Sequence, residues 1–137
     1  MNSKTFLRIA CGLMVFHLVG HLVGHFTWKD TDDSVLRDVI QKMDTHHFDF
    51  MGTSQTLGGH HEGYSVMLGL TLIVMIIITW IASLQITNNS AVKSMVLIIG
   101  VFFLGYGVVE AIYFFPLPAA TSILAGIFMI VGGMKRN

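Results

Sequence analysis

The sequence predicts an all-α, polytopic membrane protein: a four-helix bundle with a long outer loop that carries a short amphipathic helix. Hydrophobic residues make up 53% of the 137 residues and charged residues only 12%, about half the charged share of a soluble domain. Four apolar segments are long enough to cross a hydrocarbon core, which takes about 20 residues each. Because four crossings use most of the chain, we expect one domain over 1–137.

The first predicted membrane helix covers about 5–26. Its start resembles a secretory signal, because Lys4 and Arg8 precede an apolar run. The run contains three histidines, however, and no small-residue cleavage site follows it. We therefore interpret it as a retained helix.

The other predicted membrane helices cover about 63–84, 91–115 and 118–134. Trp80, a residue typical of the membrane interface, lies near the end of the second helix. The polar segment 85–90 predicts a short turn before the third helix. Pro116 and Pro118 cannot continue a helical hydrogen-bond ladder, so we expect the third and fourth helices to form an antiparallel hairpin.

The long connection, 27–62, is the predicted outer loop. Within it, Asp32 or Asp33 can cap a short helix whose apolar residues share one face. These residues are Val35, Leu36, Val39, Ile40 and Met43. We expect this helix to rest on the membrane surface or on the bundle. The segment 45–63 lacks a helical period, which predicts an ordered or re-entrant loop, or an N-terminal extension of the second helix.

The distribution of charge predicts an orientation. The two termini and the second connection contain basic residues and no acid: Lys4, Arg8, Lys93, Lys135 and Arg136. The long connection contains three basic residues beside seven of the eight acids: Asp30, Asp32, Asp33, Asp38, Asp44, Asp49 and Glu62. The positive-inside rule then predicts that both termini are cytoplasmic and that the long connection lies outside.

All seven histidines lie between positions 17 and 61. A spacing of four places His17, His21 and His25 on one stripe of the first helix, beside Gly20 and Gly24, which would let another helix approach closely. One interpretation is that these histidines only hydrogen-bond across helices, and we expect this most for His17, nearest the bilayer middle. The other is a functional site, since ionisable residues are costly within a membrane.

Glu110 is the only acid inside a predicted membrane helix and away from the outer loop. Its expected depth matches that of His21, which predicts a pair between them, although a protonated glutamic acid bonded to a carbonyl is an alternative. Tyr106 and Tyr113 are further polar residues of the same helix. We take a set of polar residues as candidate cofactor-binding residues: His17, His21, His25, Glu110 and Tyr113.

A second polar cluster, His60, His61 and Glu62, lies where the second membrane helix begins. Imidazole and carboxylate groups are good ligands for zinc, iron or copper. Our candidate metal ligands are His21, His25, His60, His61, Glu62 and Glu110. A transition metal is the first candidate cofactor, and haem held between two histidines is ranked below it.

Zero formal net charge argues against nucleic acid as a partner. The lipid bilayer is the expected partner, and a homo-oligomer or a larger membrane complex stays open. By its size, its hydropathy and its opening helix with His17, His21 and His25, the whole chain resembles small four-helix integral membrane proteins of bacterial genomes. This resemblance implies a location in the bacterial inner membrane and no particular activity.

Two hypotheses of function follow from these observations. The favoured one is a non-catalytic membrane protein with a histidine-rich polar site near the outer face and a transport-like, accessory or sensing role. The alternative is a membrane redox protein or enzyme that binds a metal or haem. The sequence leaves open whether the protein is an enzyme.

Overall fold

The computed structural model describes residues 2–87 and 89–135, and its elements in that part of the chain are five helices and two strands. They are α1 (Ser3–Thr27), α2 (Ser34–Thr45), β1 (His47–Phe50), β2 (Thr53–Thr56), α3 (Leu57–Gln85), α4 (Ser90–Tyr113) and α5 (Pro116–Met134). Helices α1, α3, α4 and α5 are long and apolar enough to cross a membrane. They are compatible with the predicted integral membrane protein. Arg136, used in the charge argument, lies outside the described residues.

The chain divides into two compact units. Unit 1 comprises Met1–Gly20 and Leu72–Asn137, and unit 2 comprises His21–Thr71. The division falls inside α1 and inside α3.

Close backbone packing between α4 and α5 is the centre of unit 1. Only Phe114 and Phe115 separate the two helices, and Pro116 opens α5, where its missing N–H costs no helical hydrogen bond. A Cβ atom added at Gly126 would lie 2.7 Å from the carbonyl oxygen of Gly100. Small residues therefore bring these backbones together, as they do between membrane helices generally.

Helices α1 and α3 complete the core of unit 1. A Cβ atom at Gly132 of α5 would lie 2.6 Å from Leu7 Cδ1, so α1 packs directly on α5. The Cys11 thiol donates to the carbonyl of Ile76 in α3, 3.8 Å away. The predicted close-packing stripe of α1, Gly20 and Gly24, shows no such close contact. Within the described ranges, no atom beyond the chain neighbours and the backbone of α1 lies within 4 Å of a Cβ atom placed at either glycine.

Several cations of unit 1 lie where α1 and α4 begin and α3 and α5 end. The guanidinium of Arg8 is 5.1 Å from the ring centroid of Trp80, and Lys135 Nζ is 5.6 Å from that of Phe6. Lys93 Nζ donates to the carbonyl of Lys135 at 3.2 Å.

In unit 2, α2 is an amphipathic helix within the long connection. Its N-cap is Asp33, whose Oδ1 accepts hydrogen bonds from the N–H groups of Val35 and Leu36 at 2.8 and 3.2 Å. Ile40 is buried, while Val35 and Val39 are exposed. The position of α2 with respect to a membrane stays a prediction.

The segment 45–63 forms a β-hairpin followed by the first turns of α3. Strands β1 and β2 pair antiparallel, from His47 opposite Thr56 to Phe50 opposite Thr53. The connecting residues Met51 and Gly52 have φ angles of 51° and 81°, as the tightest hairpin turns require. Strand pairing explains the missing helical period. Helix α3 begins at Leu57, six residues before the predicted start at 63.

Candidate functional site

A buried pair, His17 of α1 and Glu110 of α4, is the centre of the polar site in unit 1. His17 Nε2 lies 3.2 Å from Glu110 Oε1, and each side chain is only 6% exposed. Glu110 lies one turn before the end of α4. Two titratable groups are thus held in hydrogen-bond reach inside helices that are apolar enough to span a membrane.

The other ring nitrogen of His17 faces two hydroxyl groups of α5. Nδ1 lies 3.1 Å from Thr121 Oγ1 and 3.2 Å from Ser122 Oγ, and both α5 residues are buried. The Thr121 hydroxyl also donates to the carbonyl of Pro118 at 2.8 Å. Both nitrogens of one imidazole therefore have polar partners, one on α4 and the others on α5.

The packing of α4 on α5 explains why these groups meet. Gly107 lies one turn before Glu110, and a Cβ atom there would be 3.0 Å from the carbonyl oxygen of Ala119. This close approach brings the carboxyl group and the hydroxyl groups of Thr121 and Ser122 to the two sides of the same ring. Tyr106 lies beside them, with its ring centroid 6.5 Å from that of His17.

The two carboxyl oxygens of Glu110 differ in their hydrogen bonding. Among the residues that the structure describes, Oε2 has no hydrogen-bond partner although it is buried. An unpaired buried polar atom costs free energy, and the cost is much higher if the group is ionised. The carboxyl group is therefore only half satisfied.

In unit 2, His21 and His25 both contact Ser65 of α3. His21 Nε2 donates to the Ser65 carbonyl at 2.8 Å, and His25 Nδ1 lies 2.9 Å from the Ser65 hydroxyl oxygen. A Cβ atom at Gly69, one turn later, would be 3.6 Å from His21 Cδ2. Ser65 thus joins two histidines of α1 to one point of α3.

The polar residues at the start of α3 have aromatic and ionic partners. His60 Nδ1 donates to the carbonyl of Thr56 at 3.2 Å. The ring of His61 lies 4.5 Å from that of Trp28, measured between centroids. Glu62 Oε1 lies 2.8 Å from the ammonium nitrogen of Lys29.

Lys29 bridges two carboxylates. Besides Glu62, its ammonium binds Asp44 at the end of α2, at 2.7 Å. The hydrogen bonds to Asp44 and Glu62 raise the pKa of Lys29 above its ordinary value of 10.5. A cleft of about 410 Å³ adjoins this bridge, lined by His25, Phe26, Trp28, Lys29, Asp30 and Glu62.

Within each unit, the structure shows the partners of several predicted site residues. Glu110 contacts His17, the histidine from which we expected least, while the hydrogen bonds of His21 go to Ser65. Tyr113, at the end of α4, is 75% exposed. Convergence of Glu110 with the other histidines stays a prediction.

The predicted metal ligands were His21, His25, His60, His61, Glu62 and Glu110. Within 2–87 and 89–135, no group of three or more His, Cys, Asp or Glu side chains is placed to hold a metal ion. Metal or haem binding therefore stays a prediction from residue types alone.

Sequence reasoning missed three hydroxyl residues: Ser65, Thr121 and Ser122. Each lies in an apolar helix, where a hydroxyl group with a partner on another helix is a common packing contact. The adjacent Thr121 and Ser122, three and four residues after Pro118, were a usable signal. Nothing in the sequence indicated which histidine they contact.

Comparisons with known protein families, with curated proteins and with solved structures found no match. The class of this protein is therefore given by its fold and site. The part of the chain that the structure describes has four apolar helices, compatible with an integral membrane protein, and it carries a buried histidine–glutamate pair.

Proposed function

We propose that this integral membrane protein binds and releases a proton at the His17–Glu110 pair, in a transport-like or sensing role. The observation that carries the proposal is the 3.2 Å contact between His17 Nε2 and Glu110 Oε1 at 6% exposure. Ionisable residues within membrane helices commonly serve proton relays and ion pathways.

The electrostatics of burial support a protonic role. A carboxylic acid beside a neutral imidazole, and a carboxylate beside an imidazolium, both have no net charge and differ only in where one proton lies. Removing that proton leaves a net negative charge in a medium of low dielectric constant, and adding another leaves a positive one. Either charge is costly there. A change in the protonation of the pair therefore makes the buried arrangement less stable. A second conformation that stabilises the charge can then become favoured.

The two hydroxyl groups on α5 extend the pair into a relay of four groups. Thr121 has one hydroxyl hydrogen, which it donates to Pro118, so its oxygen is available to accept from His17 Nδ1–H. The Ser122 hydroxyl can instead donate to an unprotonated Nδ1. Both tautomers of His17 thus have a partner, and an imidazole that serves in both tautomers can pass a proton between its two nitrogens.

The unpaired Oε2 of Glu110 supports the same proposal. A carboxylate would leave a charged oxygen without a donor, whereas a protonated carboxyl group can leave only a neutral oxygen there. The half-satisfied carboxyl group therefore favours the interpretation that this site gains and loses a proton, over the interpretation that it only holds helices together.

As part of this proposal, the protein lies in a bacterial inner membrane with both termini in the cytoplasm. The cations Arg8, Lys93 and Lys135 at one end of unit 1 support that orientation. Reporter fusions to the two ends of the chain test it. Both reporters should give the cytoplasmic signal, and opposite signals would contradict an even number of crossings.

Infrared difference spectroscopy tests the protonic site. The full chain in lipid nanodiscs is titrated with acid and base while the carboxylic C=O stretch is recorded. We expect a band from a buried carboxyl group that is absent in Glu110→Gln and shifted in His17→Asn. Glu62→Gln is the matched control, since Glu62 is half-exposed and bound to Lys29; it should keep the band. A titration spectrum of Glu110→Gln identical to that of the unmodified protein would overturn the proposal.

A further inference from the structure

We propose that the tip of the β-hairpin, Phe50 and Met51, is a membrane anchor that inserts into the headgroup region of the surrounding lipid bilayer. The ligand of this surface is the phospholipid interface itself. The proposal concerns unit 2 and is independent of the protonic site.

The tip is apolar and unusually exposed. Met51 is 91% exposed and Phe50 is 54% exposed. Met51 also has a φ angle of 51°, an uncommon backbone conformation for a residue other than glycine. The turn therefore presents a large apolar side chain outward at a position where Asn, Asp or Gly is the usual choice.

The hairpin can enter the interface at low cost. Pairing over four positions, from His47 opposite Thr56 to Phe50 opposite Thr53, satisfies the backbone groups between the strands, which water satisfies less well near lipid. From Phe50 to His61 the sequence contains no Asp, Glu, Lys or Arg, and the one such residue of the hairpin is Asp49, next to the tip in β1. The turn and β2 thus lack the charges that oppose insertion, and Asp49 limits how deeply the hairpin can enter.

A row of aromatic rings holds the hairpin beside the first turns of α3. The ring of His60 lies 5.7 Å from that of Phe48 and 6.2 Å from that of Phe50, measured between centroids. The ring of His60 also lies 6.4 Å from that of Tyr64. Tyrosine is enriched where membrane meets water, and Tyr64 is 70% exposed. The tip is therefore tied to the part of α3 that has the character of an interface.

The length of α3 agrees with a position of the hairpin in the headgroup region. Its 29 residues extend about 43 Å at about 1.5 Å per residue, longer than a hydrocarbon core of about 30 Å. The first turns of α3, against which the hairpin packs, therefore fall in the headgroup region if the apolar remainder fills the core.

Lipid is the occupant that the neighbouring surface favours. Exposed apolar side chains also occur along α3, at Leu57, Met67 and Leu70, and α3 is a candidate membrane span. An apolar tip beside a candidate membrane helix, with Asp49 as the one Asp, Glu, Lys or Arg of the hairpin, matches the bilayer better than a protein partner.

Spin labelling tests the anchor. The full chain, with Cys11→Ala and a nitroxide at Met51→Cys, is placed in phosphatidylcholine nanodiscs, and collisions with oxygen and with a water-soluble nickel chelate are compared. Gln41→Cys, on the exposed polar face of α2, is the matched control. We expect the Met51 label to collide more with oxygen and several-fold less with nickel than the Gln41 label. Phe50→Cys provides a second label with the same expected pattern.

Two results would overturn the proposal. Equal nickel accessibility at Met51 and Gln41 would place the tip in water. Protection of Met51 from both oxygen and nickel would show that protein covers it, and disulfide formation between Met51→Cys chains would identify that protein as a second copy.

Discussion

His17 Nε2 lies 3.2 Å from Glu110 Oε1, and this buried contact joins α1 to α4. Replacing His17 by Leu should lower the free energy of unfolding by about 1–3 kcal/mol, because Glu110 is then left without its partner. Leu at both positions should recover much of that loss, since an apolar pair needs no partner. Unfolding in mixed detergent micelles measures both values. A double variant clearly less stable than His17→Leu alone would contradict this account of the pair.

The two hydroxyl groups beside His17 should have opposite effects on its tautomer. In Thr121→Val the remaining Ser122 hydroxyl can donate to Nδ1, so the proton should move toward Nε2. In Ser122→Ala the remaining Thr121 oxygen can only accept, because its hydrogen is donated to Pro118, so the proton should move toward Nδ1. Nitrogen-15 chemical shifts of His17 report the tautomer. Shifts in the same direction in both variants would contradict this assignment of donors and acceptors.

Within unit 2, Lys29 should stabilise the packing of the long connection against the first turns of α3. Lys29→Met removes the cation between Asp44 and Glu62, so amide hydrogen exchange at the end of α2 should become faster. The control is Lys42→Met, whose i, i+4 contact with Asp38 is exposed and worth little. It should leave exchange at Asp44 unchanged.

The stabilising effect of this Lys29 bridge should decrease at high pH. Because the pKa of Lys29 is raised above 10.5 in the folded chain, its stabilising effect is fully present below that value and is lost as the pH rises through the folded pKa. Protection of α2 that increases on alkaline titration would contradict this sign.

Gly126 should tolerate no side chain. Gly126→Ala places a Cβ atom 2.7 Å from the Gly100 carbonyl oxygen, and such overpacking costs about 1–3 kcal/mol. Gly105→Ala in α4 is the matched control, since among the described residues no atom beyond its chain neighbours and its own helix backbone lies within 4 Å of the added Cβ. Because alanine favours helices over glycine by about 0.5–1 kcal/mol, Gly105→Ala should leave stability unchanged or raise it. Equal losses in the two variants would show that the close packing of α4 and α5 is unimportant.

The long helices were predictable because they depend on local composition. An apolar segment of sufficient length must form its backbone hydrogen bonds internally if it lies in lipid, so 91–115 and 118–134 could be located without any tertiary contact. Pro116 likewise separates α4 from α5 by its own covalent structure. The hairpin was harder to predict, because the pairing of His47 with Thr56 joins residues whose side chains show no clear alternation.

By itself, the sequence determined the four apolar helices, the amphipathic helix capped at Asp32 or Asp33 and the restriction of the histidines to 17–61. A spacing of four also placed His17, His21 and His25 on one stripe of α1. Only the tertiary structure decided that His17 contacts Glu110 and Thr121, and that His21 contacts Ser65. Local spacing sets the face on which a side chain lies, whereas its partner depends on the rotation and depth of another helix, which the packing of distant glycines such as Gly107 controls.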